Sequence, residues 1–289
     1  MSRELSAVAA KEFDSEVKNA YQGSSMLRSC VKIRNSVSGD TYNFRRKGKG
    51  LATQRTAPSA DVMPMNVDHA LIPVSLTDWD ADEYTDIYNN AEVNFDEVVE
   101  LAEVITDALG RRDDQLIISA FEGGTYSATP AATEGGLVDT DVGGVGTGLN
   151  VAKLRAAQKF FNKKGVPKSD RYACIDAEGL DDLLAATEVT SSDYNAVKAL
   201  VQGEVDTFLG FKFKVMEDRD EGGLNKTGSV QDAYLWHKDA VGSAIGKNLD
   251  MKTDVNWIPN KKSWLASGSH KAGAGLIDNE GVVKMQYTV

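Results

Sequence analysis

A long polar segment between two β-rich stretches constrains this chain more than any other feature. Residues 39–76 contain TYNF and HALIPVSL, which flank a basic segment with few large apolar side chains. Ordering each residue costs about 1–2 kcal/mol, so a loop of this length inside a compact domain implies a function. The sequence therefore predicts an extended hairpin that is ordered by contacts with another copy of the same protein.

The composition is that of a globular chain without a membrane-spanning segment. The 289 residues are 42% hydrophobic, which is enough to build an elaborate core. No apolar run of about 18 residues is available to span a bilayer, and the charged N-terminal residues do not resemble a signal peptide. Cys30 and Cys174 lie outside any C-x-x-C spacing, which favours two buried apolar side chains in a reducing compartment.

The net charge of −11 conceals a polarity along the chain. Residues 1–60 hold 11 Lys/Arg and 5 Asp/Glu, whereas residues 61–122 hold 2 Lys/Arg and 16 Asp/Glu. Two interpretations stay open: both surfaces are simply solvated, or the basic arm of one subunit lies on the acidic body of its neighbour. The acidic total argues against general wrapping of nucleic acid, which needs a basic excess.

The candidate contact residues lie in the hairpin, where no acidic residue occurs between residues 41 and 60. Five cations form this cluster: Arg45, Arg46, Lys47, Lys49 and Arg55. Exposed ion pairs contribute about 0.2–1 kcal/mol each, so the cluster would act through several contacts repeated between copies. We predict that these five side chains contact a neighbouring subunit.

Periodicity divides the remainder of the chain into an arm, a long helix and a second unit. Residues 1–38 are predicted to be an arm docked through Tyr21, Met26, Leu27, Val31 and Ile33. One long helix over 94–121, about 40 Å long, or two helices in series, begins at an Asn94 N-cap with Glu97 in the capping box. Its apolar stripe is Phe95, Val98, Ala102, Ile105, Leu109, Leu116 and Ala120, interrupted at residues 110–114.

The second unit follows a connector that is rich in glycine and threonine, residues 122–149, which is predicted to be mobile. Helices are predicted at 149–164, 178–187 and 192–201, and strands at 171–176 and 211–216. From residue 233 onward the sequence predicts several short β segments, broken at glycines, that return to the long helix.

No motif nominates a catalytic, cofactor-binding or metal-ligating residue. Residues 78–82 alternate carboxylates as a calcium loop does, but Glu83 and Asn89 occupy the positions that require Gly and Glu. The glycines of residues 141–150 lack the Lys-Ser/Thr pair of a phosphate loop, which favours a flexible linker. The three histidines, His69, His237 and His270, have no catalytic sequence context. The sequence predicts that the protein is not an enzyme and needs no cofactor or metal.

The order of these parts resembles the major capsid protein of tailed bacteriophages, the Hong Kong 97-type fold. Four stretches carry the resemblance: FRRKGKGLATQRTAPSADVMPMNVDHALIPVSLTDW, VVELAEVITDALGRRDDQLIISAF, RYACIDAEGLDDLLA and AYLWHKDAVGSAIGKNLDMKTDV. The resemblance covers nearly the whole chain and implies an α+β fold. It implies an N-terminal arm (1–38), an extended hairpin loop (39–76), a peripheral domain with the spine helix (77–125 and 248–277) and an axial domain (126–247 and 278–289).

The function implied by this resemblance is self-assembly into an icosahedral head shell that encloses double-stranded DNA without sequence-specific binding. Pentamers and hexamers would form around the symmetry axes, with the hairpin extended over a neighbour. We expect a separate scaffolding protein, since 38 residues precede the hairpin, together with a portal protein and a possible decoration protein. The expected location is the virion, assembled in the bacterial cytoplasm without a membrane. Two alternatives stay open: an encapsulin-like compartment with an enzyme cargo, and a cytosolic α+β enzyme.

Overall fold

A computed structural model describes residues 24–58, 61–86, 97–131, 133–185, 207–219 and 221–289. Within these ranges the three helices are α1 (Glu97–Glu122), α2 (Val151–Lys164) and α3 (Ala177–Ala185). The first seven strands are β1 (Lys32–Val37), β2 (Thr41–Lys47), β3 (His69–Ser75), β4 (Thr77–Asp86), β5 (Tyr126–Ser127), β6 (Gly135–Val138) and β7 (Arg171–Asp176). The other seven are β8 (Lys212–Met216), β9 (Lys226–Thr227), β10 (Val230–His237), β11 (Val241–Gly246), β12 (Lys252–Ile258), β13 (Ser263–Leu276) and β14 (Val282–Thr288).

The larger sheet has the order β5-β6-β14-β10-β7-β8, with β9 also paired to β10. Its central strand β10 is buried along most of its length, as expected for a strand covered on both faces. Helix α2 packs on this sheet through Leu154, Ala157 and Phe161, which share a core with Ile175 and Leu235. Asn150 caps α2 by accepting a hydrogen bond from the Lys153 amide, and Gly165 ends the helix in the left-handed conformation.

The smaller sheet has the order β1-β11-β13-β12, and β4 pairs with the other edge of β13. Helix α1 lies across this sheet and contacts β13, with Ile105 and Leu109 packed against Ala266. Ile105 can approach the strand closely because the facing residue is glycine: a Cβ at Gly268 would lie 2.3 Å from Ile105 Cγ2. A second core joins the C-terminal half of α1 to both sheets, since Ile117 and Phe121 pack with Trp236 and Val241.

Helix α1 confirms the predicted long helix but corrects its details. The proposed cap at Asn94, together with Phe95, lies outside the described residues, and nothing is described of the Val98 side chain. The helix continues through residues 110–114 without interruption. Its buried stripe shifts after Leu109, because Ile117, Ile118 and Phe121 are buried, whereas Leu116 and Ala120 are only half-buried.

Two predictions about glycine-rich regions were wrong. The supposed connector contributes β6, which lies inside the larger sheet between β5 and β14. Its glycines leave room for aromatic rings: a Cβ at Gly136 would lie 2.9 Å from the Phe160 ring. The predicted breaks near the C-terminus are likewise absent from β13, a continuous strand of 14 residues that runs through three glycines.

Several other predictions are confirmed, and some fall outside the description. Strand 171–176 has the predicted bounds, and the elements predicted at 149–164 and 211–216 begin one or two residues later than predicted. The helix predicted at 178–187 begins one residue earlier, at Ala177, and its predicted last two residues lie outside the described residues. The predicted helix 192–201 lies outside the described residues. Cys30 and Cys174 are buried free thiols, as expected. No helix in the described part of the chain is long and apolar enough to cross a membrane.

The N-terminal arm joins the body through a turn and a strand. Leu27 and Val31 are buried, which confirms two of the predicted docking residues. Ile33 is exposed in β1, so its predicted docking role was wrong, and Tyr21 lies outside the described residues. Strand β1 extends the smaller sheet by pairing in parallel with β11.

Candidate assembly surface

The hairpin, residues 39–76, is a separate two-stranded sheet in which β2 pairs antiparallel with β3 from Thr41↔Ser75 to Lys47↔His69. An isolated two-stranded hairpin is marginally stable in water, so its root must pack on something. Phe44 and Val74 supply that contact in a small core with Val37, Ala244 and Ile277. The predicted hairpin is therefore confirmed, and among its described residues the apolar core lies at the root.

Glycines in the body form the floor on which the hairpin root lies. A Cβ at Gly242 in β11 would lie 2.5 Å from the Phe44 ring, and one at Gly275 in β13 would lie 2.4 Å from Val74 Cγ2. Any larger residue at either position would have to displace the hairpin strand that lies above it. These two glycines thus help to set the position of the hairpin on the smaller sheet.

Alternation along β2 divides the candidate cations between two faces. Successive side chains point to opposite faces of a strand, and the buried Phe44 marks the face of β2 that meets the body. Arg46 shares that face and is half-buried, whereas Arg45 and Lys47 are exposed on the opposite face. The structure therefore does not bring the five predicted residues together as one surface.

Two of the five cations form ion pairs within their own chain. Arg46 Nη2 lies 3.0 Å from Asp278 Oδ1, and Lys49 Nζ lies 2.7 Å from Glu280 Oε2. Both acids belong to the turn that joins β13 to β14. Sequence reasoning missed these two acids because 230 residues or so of chain separate them from the hairpin, and local patterns carry no signal for such a pair.

The other three cations remain available for a neighbour. Among the described residues no acidic side chain pairs with Arg45, Lys47 or Arg55, and Arg55 donates a hydrogen bond to the Ala57 carbonyl. Large apolar side chains are exposed on the same segment: Leu51 is 83% exposed and Val62 is 93% exposed. Such apolar exposure beyond a folded body is typical of an interaction surface.

An acidic face lies on strand β4, at one edge of the smaller sheet. Trp79 and Ala81 point toward the cluster beneath α1. The alternating residues Asp78, Asp80 and Asp82 are exposed and therefore lie on the opposite face. Because residues 77–86 form a strand, the alternating carboxylates are not arranged as a calcium loop. Carboxylates along an edge strand also oppose unwanted strand pairing.

A buried acidic pair on α1, in the stretch where the sequence predicts an interruption of the helix, holds the N-terminal arm. Asp114 accepts hydrogen bonds from the Ser25 hydroxyl and from the amides of Met26 and Leu27, at 2.9–3.2 Å. Arg219 Nη1 lies 3.2 Å from the same carboxylate. Burial raises the pKa of Asp114, against the opposing effect of the hydrogen bonds from Met26 and Leu27.

Asp113 faces the smaller sheet, where His270 Nε2 lies 3.7 Å from its Oδ1 and Arg28 Nε lies 3.9 Å from its Oδ2. The signal that could have revealed both acids is their position: Asp113 and Asp114 fall four residues after Leu109 and Gly110, on the buried face of α1.

The architecture matches that of phage capsid proteins of known structure. The capsid of cyanophage P-SCSP1u aligns with a TM-score of 0.74 at 18% identity, over 100% of this chain and 95% of that chain. The capsid of the native GTA particle aligns with a TM-score of 0.76 at 13% identity, over 99% and 98%. The head of Helicobacter pylori bacteriophage KHP40 aligns with a TM-score of 0.73 at 12% identity, over 96% and 95%. The fold is therefore an α+β capsid fold.

The sequence identifies the family. A family model described as phage capsid protein matches residues 5–289, while no curated protein matches the sequence. The chain belongs to the phage capsid protein family and is thus a structural component of a virion, not an enzyme. Of the functions that the sequence left open, this excludes the cytosolic enzyme and favours a phage capsid over an encapsulin-like compartment.

Proposed function

We propose that this chain is the major capsid protein of a tailed bacteriophage, which self-assembles into an icosahedral head shell around double-stranded DNA. The observation that carries the proposal is the hairpin: its apolar contacts with the body lie at its root, and its loop exposes cations and large apolar side chains. Membership in the phage capsid family supports the same function.

The domain assignment that we propose follows the Hong Kong 97-type plan. Residues 1–38 are the arm and residues 39–76 the hairpin. Residues 77–125 and 248–277, which include α1 and strands β4, β12 and β13 of the smaller sheet, form the peripheral domain. Residues 126–247 and 278–289, which include every described strand of the larger sheet, form the axial domain that gathers into pentamers and hexamers.

The contact that we propose between copies joins the hairpin of one subunit to the acidic face of the next. Arg45, Lys47 and Arg55 supply positive charge, and Asp80 and Asp82 on β4 supply negative charge. Complementary patches of this kind fix the register between copies more than they add affinity. Exposed Leu51 and Val62 on the hairpin would add apolar area to the contact.

A separate scaffolding protein, a portal protein and a possible decoration protein complete the proposed particle, which assembles in the host cytoplasm. DNA would be enclosed without sequence readout, since the acidic chain lacks the basic excess that direct binding needs.

Sedimentation and electron microscopy of the purified chain test the proposal. We expect closed shells or ring-shaped oligomers across a concentration series, with and without a co-expressed scaffolding protein. A species that stays monomeric in every condition would refute it.

A further inference from the structure

The basic cluster of the hairpin contains two groups of residues with different surroundings. Arg46 follows Phe44 on the face of β2 that meets the body, and Lys49 lies just beyond the end of that strand. Both reach acids of the same chain, whereas Arg45 and Lys47 project from the opposite face. Two of the five cations that the sequence assigns to intersubunit contacts are therefore already paired with acids of their own chain.

The acids that receive Arg46 and Lys49 are held rigidly. Asp278 accepts a hydrogen bond from the Glu280 amide at 3.1 Å, and the amides of Ile277 and Asp278 both donate to the Ala240 carbonyl. A Cβ at Gly281 would lie 2.7 Å from Ala240 Cβ, so the turn is tightly packed. The hairpin is thus attached to a fixed turn.

A third cation completes the contact from the other side. Lys164, in the last turn of α2, places its Nζ 3.5 Å from Glu280 Oε1. The Glu280 side chain is 8% exposed, so its charge would be costly to bury without Lys49 and Lys164. Burial raises the pKa of Glu280, but the hydrogen bond and charge of Lys49 and the charges of Lys164 and Arg46 outweigh it, and the pKa is lowered.

We propose that Arg46 and Lys49 act within their own chain as a latch that fixes the direction of the hairpin. The latch comprises Arg46, Lys49, Lys164, Asp278 and Glu280. The remaining cations, Arg45, Lys47 and Arg55, form the surface that meets a second copy, and this second half of the proposal rests on the proposed function. The hairpin then leaves the body at a set angle before a neighbour binds, which reduces the conformational entropy lost on assembly.

Distances between spin labels on the full-length chain test the latch. The labels are placed at A52C in the hairpin and K159C on α2, both exposed positions, while the native Cys30 and Cys174 are buried and resist labelling. Labelled chain is diluted with unlabelled chain, so that pairs within one subunit dominate. We expect a narrow distance distribution for the otherwise unsubstituted chain.

Two substitutions open the latch from opposite sides, and one serves as a matched control. K49E and E280Q are expected to broaden the distribution. In E280Q the hairpin loses one ion pair to the body, Lys49–Glu280, and the open fraction should rise about 1.4- to 5-fold. K47E makes the same charge reversal as K49E on the outward face and should leave the distribution unchanged. Thermal melting of E280Q checks that the body is folded.

The latch is refuted if K49E leaves the distribution narrow, or if K47E broadens it as much as K49E does. Particle formation is measured separately and distinguishes the two proposals. If K47E chains keep a narrow distance distribution and still assemble normally, the proposed contact of Arg45, Lys47 and Arg55 with a second copy is refuted. The latch within one chain is not refuted by that result.

Discussion

Removal of the Asp114 carboxylate should release the N-terminal arm from α1. In the Asp114→Ala variant, the amides of Met26 and Leu27 and the hydroxyl of Ser25 lose their acceptor. The Arg219 guanidinium, 4% exposed, keeps Glu217 as its remaining carboxylate partner. The substitution therefore leaves several buried donors unsatisfied while it removes little apolar contact.

The expected loss of stability follows from the burial of this group. Each buried donor left without a partner costs about 1–3 kcal/mol, and breaking a buried ion pair by removing one member costs about 3–5 kcal/mol. Because the arm can partly detach and let water reach the donors, we expect the stability to fall by about 3–5 kcal/mol in total, without the separate costs of the donors added to it. A loss of about 3–5 kcal/mol lowers the Tm by roughly 6–20 °C for a domain of this size class.

Thermal melting and hydrogen exchange of the unassembled subunit measure the effect. The control is Glu103→Ala, which removes an exposed carboxylate from the same helix and should change stability by less than about 0.5 kcal/mol. In Asp114→Ala, exchange should accelerate first at the amides of Met26 and Leu27. Equal melting temperatures for the two variants, with unchanged exchange at these amides, would refute the role of Asp114 as the anchor of the arm.

Three further predictions concern α1, the hairpin root and the latch. Ile105→Asp places an unpaired charge at a position that is 6% exposed, which costs several kcal/mol of stability and should give insoluble protein. Glu103→Lys changes an exposed residue of the same helix and should express and melt normally. Equal tolerance of the two substitutions would show that the apolar stripe is not buried. Gly242→Val should displace Phe44, lower the stability by about 1–3 kcal/mol and shift the mean distance between labels in the hairpin and the body. An unshifted distance would contradict the claim that the glycines set the position of the hairpin. The pKa of Glu280 is lowered from its ordinary value of 4.5, so its carboxylate stabilises the latch fully at pH values above 4.5. This stabilisation is lost as the pH falls through the lowered pKa, and the distribution of distances between the labels should broaden in that pH range. An identical transition in Glu280→Gln would show that another group causes it.

Local patterns in the sequence predicted those elements whose residues interact with near neighbours along the chain. Strand β7 has the predicted bounds, and α2 ends at Gly165, because apolar runs and capping residues act within a few positions. The hairpin was predicted for a similar reason, since its loop lacks the apolar residues of a core.

The features that the sequence did not predict depend on partners far along the chain. Glycines in β6 and β13 indicated breaks, yet they lie in strands where an aromatic ring or the hairpin approaches closely. Asp114 looked like part of a polar interruption, but its hydrogen-bond donors in the arm lie more than 80 residues earlier. Likewise, nothing local in the sequence identifies Asp278 and Glu280 as ion-pair partners of Arg46 and Lys49 within the same chain.

Imaging of assembled particles by electron cryomicroscopy tests the central claim most directly, because it locates the hairpin of each subunit relative to its neighbours. We predict a closed shell in which Arg45, Lys47 and Arg55 of one subunit lie within about 4 Å of carboxylates on β4 of the next. Arg46 and Lys49 should at the same time contact Asp278 and Glu280 of their own chain, as they do in the single subunit. A shell in which the hairpin contacts its own chain alone, or in which Arg46 and Lys49 pair with the neighbour, would contradict the account.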